Sequence, residues 1–218
     1  MTVRPGRPVL EPVISEVKVP AGMLGPDPVT FDVRCFIVPG ADGIVLVDAG
    51  PPGAANAIEA ALDRIGARWS DVSDIVLTHA HFDHVGGLTD AAARTPRANL
   101  WAGARDISEI RLDGARLVKP LVDGDRVRGL AVLDTPGHTP GHVSLLDEAN
   151  SLLLVGDVVG TSDGVLSLGP PAFTADPVRA RASLARVASL GVERVVFSHG
   201  AEIADPTVAI RHLLGSSQ

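Results

Sequence analysis

The chain has 218 residues, 45% of them hydrophobic and 21% charged, with a mean hydropathy of +0.24, which is enough apolar material for one domain with a substantial core and excludes a disordered chain. Nineteen basic against twenty-six acidic residues give a formal charge of −7, so there is no positive field for nucleic acid or an anionic membrane. A single cysteine, Cys35, rules out an internal disulfide framework, and its place in the run VRCFIV marks it as a buried thiol. The opening stretch MTVRPGRPVLEPV is broken by prolines before any apolar run forms, and no window is long and apolar enough to span a bilayer. The expectation is a cytoplasmic protein, residues 1–218 forming one domain, that acts on a small molecule without nucleic-acid or membrane partners. Its oligomeric state is not written in the sequence.

In chain order, the runs VISEVKVP, FDVRCFIVPG and IVLVDAG predict three strands joined by tight turns. Residues 53–66, GAANAIEAALDRIG, set Ile58, Leu62 and Ile65 on one face and stop at Gly66, the pattern of an amphipathic helix with a C-terminal glycine. DIVLTH reads as a buried strand, LTDAAARTP as a helix, ANLWAG as a short strand and ARDISEIRL as another helix. Strands resume at RVRGLAVLDT, HVSLLDE and SLLLVGD. Residues 158–175, VVGTSDGVLSLGPPAFTA, have neither period and read as a long surface loop of the kind that shapes a binding site. DPVRARASLARVASLG begins a helix with Asp176 as N-cap and Pro177 in its first position; ERVVFSHG is a final strand, and DPTVAIRHLLG repeats the Asp-Pro helix start. Strands, helix, strand, twice over, predict an α/β (α+β) architecture with a two-sheet core and outer helices.

Residues 78–87, THAHFDHVGG, hold three of the chain's seven histidines and an aspartate. At this composition the pattern HxHxDH arises by chance about six times in ten thousand such sequences, so accident is a weak explanation. His79 and His81, two apart on an extended backbone, project to one side and can hold one cation. Asp83 and His84 follow after the chain begins to turn and face a second position, as two-metal hydrolases with ions roughly 3.5–4 Å apart require. The missing ligands are expected at other strand ends: His138 in TPGHTPGH, Asp157 after LLLVG and His199 in FSHG. The tally is His79, His81 and His138 on one ion and Asp83, His84 and His199 on the other, with Asp157 shared. Imidazole and carboxylate without thiolate suit two zinc ions, with manganese or iron as alternatives. With a bridging hydroxide, such a centre keeps one net positive charge and attracts carbonyl or anionic oxygen.

From FIVPG and LVDAG through THAHFDHVGG, TPGHTPGH, LLLVGD and FSHG, the sequence resembles the metallo-β-lactamase superfamily. The resemblance implies a four-layer αββα sandwich of two mixed sheets with the metals at one edge. It also implies metal-ligand roles for the seven residues just named, and a role for Asp48 behind a metal-bound histidine, which such sites need on physical grounds too. His142, four residues after His138, could take its place as ligand; the family pattern keeps His138 and leaves His142 to support or packing. His212 reads as a surface residue of the last helix.

True β-lactamases act outside the cytoplasm and lack the bridging aspartate. Glyoxalase II is similar through the metal motifs but adds a helical domain that grips glutathione, and only a short segment follows His199 here. Lactonases of this kind place a tyrosine beside the metals, and this chain has none; ribonuclease relatives carry further motifs absent here. The reading that follows is a dinuclear hydrolase of a small carbonyl ester, such as a thioester or lactone. A metal-bridging hydroxide attacks the carbonyl, with Asp83 orienting it and handling its proton. Met23 and Leu24, with Val165, Leu166 and Phe173, are the apolar residues expected along the substrate. Two alternatives stand beside it: a persulfide dioxygenase with one iron on His79, His138 and Asp157, and a non-catalytic protein that keeps the metals for structure.

Overall fold

Strands buried on both faces organise the molecule. In the computed structural model, which describes residues 9–23, 25–114 and 116–215, β1 (Glu11–Val19), β2 (Val29–Gly40) and β3 (Gly43–Val47) form an antiparallel meander. β4 (Val72–Leu77), β5 (Asn99–Gly103) and β6 (Val118–Leu121) extend it in parallel, giving a six-stranded sheet in sequence order. β7 (Arg126–Val127), β8 (Leu130–Asp134), β9 (Val143–Asp147) and β10 (Leu152–Leu154) begin the second sheet. The short hairpin β11 (Gly160–Ser162) and β12 (Val165–Ser167) stands apart. β13 (Arg194–Val196) joins β10 in parallel, so the second sheet runs β13-β10-β9-β8-β7.

Alternation along each strand divides the core into layers. Cys35, Ile37, Leu46, Ile75 and Leu77 face outward onto α1 (Ala55–Arg64), through Ile58 and Leu62, and onto α3 (Leu88–Arg94), through Leu88 and Ala91. Their chain neighbours Phe36, Val45, Val47 and Val76 face inward and meet Val132, Val143, Leu145 and Leu154 of the second sheet. On the far side, Leu153, Val195 and Phe197 pack beneath Leu184 and Val187 of α4 (Pro177–Ser189) and Ile210 of α5 (Pro206–Gly215). The order of layers is the expected αββα sandwich. Each large side chain in these layers contributes about 1.5–3 kcal/mol by leaving water. Among the described residues, no helix is long and apolar enough to cross a membrane.

Three local expectations change, and one strand has no counterpart among them. ARDISEIRL is not a helix beyond one 3-10 turn at Ile107–Glu109, because Asp106, where the helix would be capped, turns its carboxylate to other segments instead. VKPL is a strand, tolerated despite Pro120 because β6 lies at the sheet edge. RVRGLAVLDT breaks into β7 and β8 around Arg128 and Gly129, both at positive φ (50° and 93°). Residues 158–175 are not loop throughout. β11 and β12 close over Asp163 and Gly164, at φ 51° and 76°, a turn whose twist matches the strands, and Pro171–Phe173 forms a 3-10 turn.

From the β7–β8 turn, Arg128 reaches across to the first sheet and donates to buried Asp74 (Nε to Oδ2 2.7 Å), which also accepts from Trp101 (2.8 Å) and Asn99 (2.9 Å). Burial works against the Asp74 charge, but these bonds, Arg128 first, outweigh it and hold its pKa below the usual value. Arg128→Ala leaves a buried carboxylate short of one donor and is expected to cost about 1–3 kcal/mol in urea unfolding at pH 7. A carboxylate with a depressed folded pKa stabilises above its unfolded value, about 3.9, and loses that contribution as pH falls through the folded one. The gap between wild type and variant should therefore close on acidification below pH 4; a gap that persisted there would count against the ion pair as its source.

Candidate metal centre

The two sheets meet at one rim. The Val143 N–H donates to the Thr78 carbonyl (2.9 Å) and the Arg34 N–H to the Ser198 carbonyl (2.8 Å), drawing the end of β4, the start of β9, the middle of β2 and the segment after β13 together. Chain segments leaving β3, β4, β8, β10 and β13 deliver Asp48, His79 with His81, His138, Asp157 and His199 to this rim. The one-turn α2 (Phe82–Val85) sets Asp83 and His84 beside them. Asp48 takes a left-handed backbone (φ 63°), which aspartate tolerates better than most residues. Its buried carboxylate accepts from the Thr78 N–H (2.7 Å) and faces His84 Nδ1 (2.8 Å).

Three groups of side chains converge, each with its ligand atoms within 4.8 Å of one another: His79, His81 and His138; His79, His84 and Asp157; Asp83, His84 and His199. His81 Nδ1 lies 3.2 Å from His79 Nε2 and 2.8 Å from His138 Nε2. Tetrahedral zinc with nitrogen ligands at about 2.0–2.1 Å would space them about 3.3 Å apart. Outer partners fix which nitrogen faces inward. A carboxylate and a carbonyl can only accept, so His84 Nδ1 donates to Asp48 and His199 Nδ1 donates to the Asp32 carbonyl (2.7 Å). The Thr78 hydroxyl lies within 3.1 Å of both Asp48 oxygens and donates there, which leaves it to accept from His79 Nδ1 (3.0 Å). All three rings then turn Nε2, the nitrogen a cation would take, to the centre. The Asp157 carboxylate stands among them, 3.2 Å from His199 Nε2, 3.3 Å from His138, 3.4 Å from His84 and 3.8 Å from His79. His84 Nε2 and Asp157 Oδ1 are buried without a hydrogen-bond partner, as atoms awaiting a cation are. The donor set fits divalent metal.

Electrostatics agree. Burial works against the charge on Asp157, yet His84, His199 and His79 hold its pKa well below the usual carboxylate range. Burial also opposes protonation of His84 and His199. Asp157 and Asp48 lift the first well above the usual imidazole value, and Asp157 with Asp83 lifts the second to about 10. Burial, reinforced by neighbouring imidazoles, lowers His79 and His81. The carboxylates thus collect positive charge, as protons where no metal is bound, and metal uptake must release those protons.

His142 does not join the three groups. Its Nε2 accepts the Asp157 N–H (2.9 Å) and its Nδ1 meets Thr135 (2.8 Å), so the ring is neutral and both nitrogens are used; burial, then His138, pushes its pKa down to about 3. Gly156 makes this possible, since a Cβ there would stand 2.5 Å from His142 Nε2. Of the expected substrate contacts, Phe173 lies near His81 (ring centres 6.4 Å), Met23 is exposed in the β1–β2 turn and Val165 is exposed at the start of β12. Leu166 is half-buried and packs against the core cluster under α4 and α5, because alternation in β12 turns it inward. Leu24 lies outside the described residues. Sequence reasoning missed Phe31, whose ring lies 5.4 Å from that of His199, and Phe82, two-thirds exposed between His81 and Asp83. It also missed Asp106 and the Asp32 carbonyl; neither has a local signal, whereas Thr78 and Thr135 sit inside the motifs already quoted.

Residues 29–199 match the metallo-beta-lactamase superfamily. The chain is 29% identical over 215 residues to the uncharacterized protein YobT of Bacillus subtilis (86% of this chain, 91% of the relative). It is 30% identical to the probable metallo-hydrolase YflN of the same organism (72% and 75%), and 35% identical to the hydroxyacylglutathione hydrolase of Acidiphilium cryptum (78% and 64%). It spans about half to two-thirds of the length of the hydroxyacylglutathione hydrolases it matches, from 52% to 64%. Among solved structures, a metallo-beta-lactamase family protein of Thermus thermophilus, TTHA1429, superposes with a TM-score of 0.69 at 25% identity (93% of this chain, 78% of that one). TTHA1623, solved in a di-iron-bound form, gives 0.65 at 28% identity (87% and 94%).

Proposed function

The chain belongs to the metallo-β-lactamase superfamily, and from that premise we propose that it is a hydrolase of small carbonyl esters, thioesters or lactones, working with two divalent cations, zinc first. One observation carries this reading: a buried carboxylate, Asp157, placed among imidazoles of both sets, with the Nε2 atoms of His79, His138, His84 and His199 3.2–3.8 Å away. His79, His81 and His138 would hold one ion and Asp83, His84 and His199 the other, with Asp157 common to both. Two such cations supply a hydroxide nucleophile near neutral pH and polarise the carbonyl under attack. Asp83, 3.4 Å from His199 Nε2 and 3.7 Å from His84 Nε2, is the carboxylate positioned to orient the nucleophile and take its proton at Oδ2. Burial raises its pKa, but the His199 bond and His84 bring it below the usual value, so it is ionised and able to accept.

The test is metal content by plasma mass spectrometry on protein purified without added metal, followed by a thioester and lactone panel. Two zinc ions per chain with turnover would support the reading; one iron with oxygen uptake on a persulfide would replace it. Iron in a dinuclear hydrolase is a second reading of the metal alone, favoured by the di-iron-bound form of TTHA1623.

The mouth points to the class of ester. Of five phenylalanines, Phe36 and Phe197 are core residues, while Phe31 and Phe173 lie against metal-facing histidines and Phe82 stands exposed beside them. Arg34 and Arg179, on elements bordering the site, are already paired with Asp32 and Asp176. These features favour an apolar group next to the carbonyl. A hexanoyl or phenylacetyl thioester should exceed the acetyl one in kcat/KM by about tenfold or more, and Phe173→Ala should erode that preference through KM. Equal kcat/KM across the series would refute it.

A further inference from the structure

We infer that Asp106 is a positioning residue for one of the two metal positions and not the other; the inference rests on the two-ion reading above. Asp106 lies after β5, outside every ligand motif, and is 1% exposed. One carboxylate oxygen accepts from the Ala80 N–H (3.1 Å), between His79 and His81, and from the Thr139 hydroxyl (2.6 Å), the residue after His138. The other accepts from the Gly141 N–H (2.6 Å) in the same loop as His138.

One buried side chain thus ties together the two loops that deliver His79, His81 and His138. Close packing maintains the arrangement: a Cβ on Gly141 would stand 2.5 Å from the Asp106 nitrogen, and one on Gly103 would stand 1.8 Å from the Gly141 oxygen. Only glycine allows either approach.

His84 and His199 hang from different supports, the Asp48 carboxylate and the Asp32 carbonyl. The two sets of ligands share Asp157, and Thr78 links His79 to the Asp48 behind His84, but the Asp106 contacts reach only the loops of the first set. Loss of the Asp106 carboxylate frees the His79-His81 segment from the His138 loop and leaves the other set in place. Supports behind metal ligands typically affect affinity by about 10–100-fold.

The experiment is zinc titration of the metal-free protein against a chromophoric chelator, which reads binding without activity. His81→Ala and His199→Ala identify the two binding events by abolishing one each. Asp106→Asn should weaken the event that His81→Ala abolishes about 10–100-fold and leave the other within about threefold. Thr139→Val, which removes one donor from the carboxylate, should weaken the same event by less and answers the question if Asp106→Asn does not fold. Equal weakening of both events, or of neither, would overturn the inference. A wild type that binds a single zinc would instead defeat the two-ion reading; Asp106 would then be judged on that ion, weakened if it positions it and unchanged if it does not.

Discussion

Asp157→Asn should abolish hydrolysis by at least about a thousandfold and reduce zinc uptake from two ions to one or none, with the sandwich still folded. The variant keeps the size and one oxygen of the side chain but removes the charge that stands within 3.2–3.8 Å of four imidazole nitrogens. Metal ions in such sites contribute several kcal/mol to the transition state, and each 1.36 kcal/mol is a factor of about ten in rate. Two further signatures follow from the charge itself. Asp157 is the leading positive influence on the His84 and His199 pKa values, so in metal-free protein both should fall towards the ordinary imidazole range. His142 should keep its place, because it accepts the backbone N–H of residue 157, which asparagine also has. Imidazole NMR titrations of the metal-free variant read both signatures, and metal analysis reads the loss of zinc. Retention of two tightly held ions would show that Asp157 is not the shared ligand.

Much of the clustering of candidate ligands was legible because most of them follow an apolar run that the layered core demands. Val76 and Leu77, Leu153 and Leu154, and Val195 and Val196 must bury opposite faces, so the first polar residues after them mark strand ends, where loops carry chemistry. Sequence reasoning misses the hairpin inside residues 158–175, although Asp-Gly between short β-forming runs is a turn signal; the surrounding glycines and prolines hide it. Other features had no local sign. ARDISEIRL reads as a helix, and only the approach of Ala80, Thr139 and Gly141, 26 to 35 positions away, takes the Asp106 carboxylate elsewhere. The Asp32 carbonyl that orients His199 is backbone, which no residue pattern announces. Pro120 and Lys119 disguise β6 because an edge strand need not look like a central one.

Asp83→Asn separates the roles of the two carboxylates at the centre. Asp157 lies among all the imidazole groups, but Asp83 touches only the His84 and His199 side, at 3.7 and 3.4 Å. Removing its charge should spare the ion held by His79, His81 and His138 while stopping proton transfer at the nucleophile. General-base assistance contributes about 10²–10⁴-fold, so kcat should fall by that factor or more while KM for an apolar thioester stays within about threefold. The unequal effect distinguishes a group that acts on the reacting proton from one that only shapes the pocket, since loss of Phe173 should raise KM and leave kcat. If Asp83→Asn keeps full kcat, Asp83 has neither the proton-handling role nor an essential part in the second ion. Chemistry would then be assigned to the His79, His81 and His138 position with Asp157 alone.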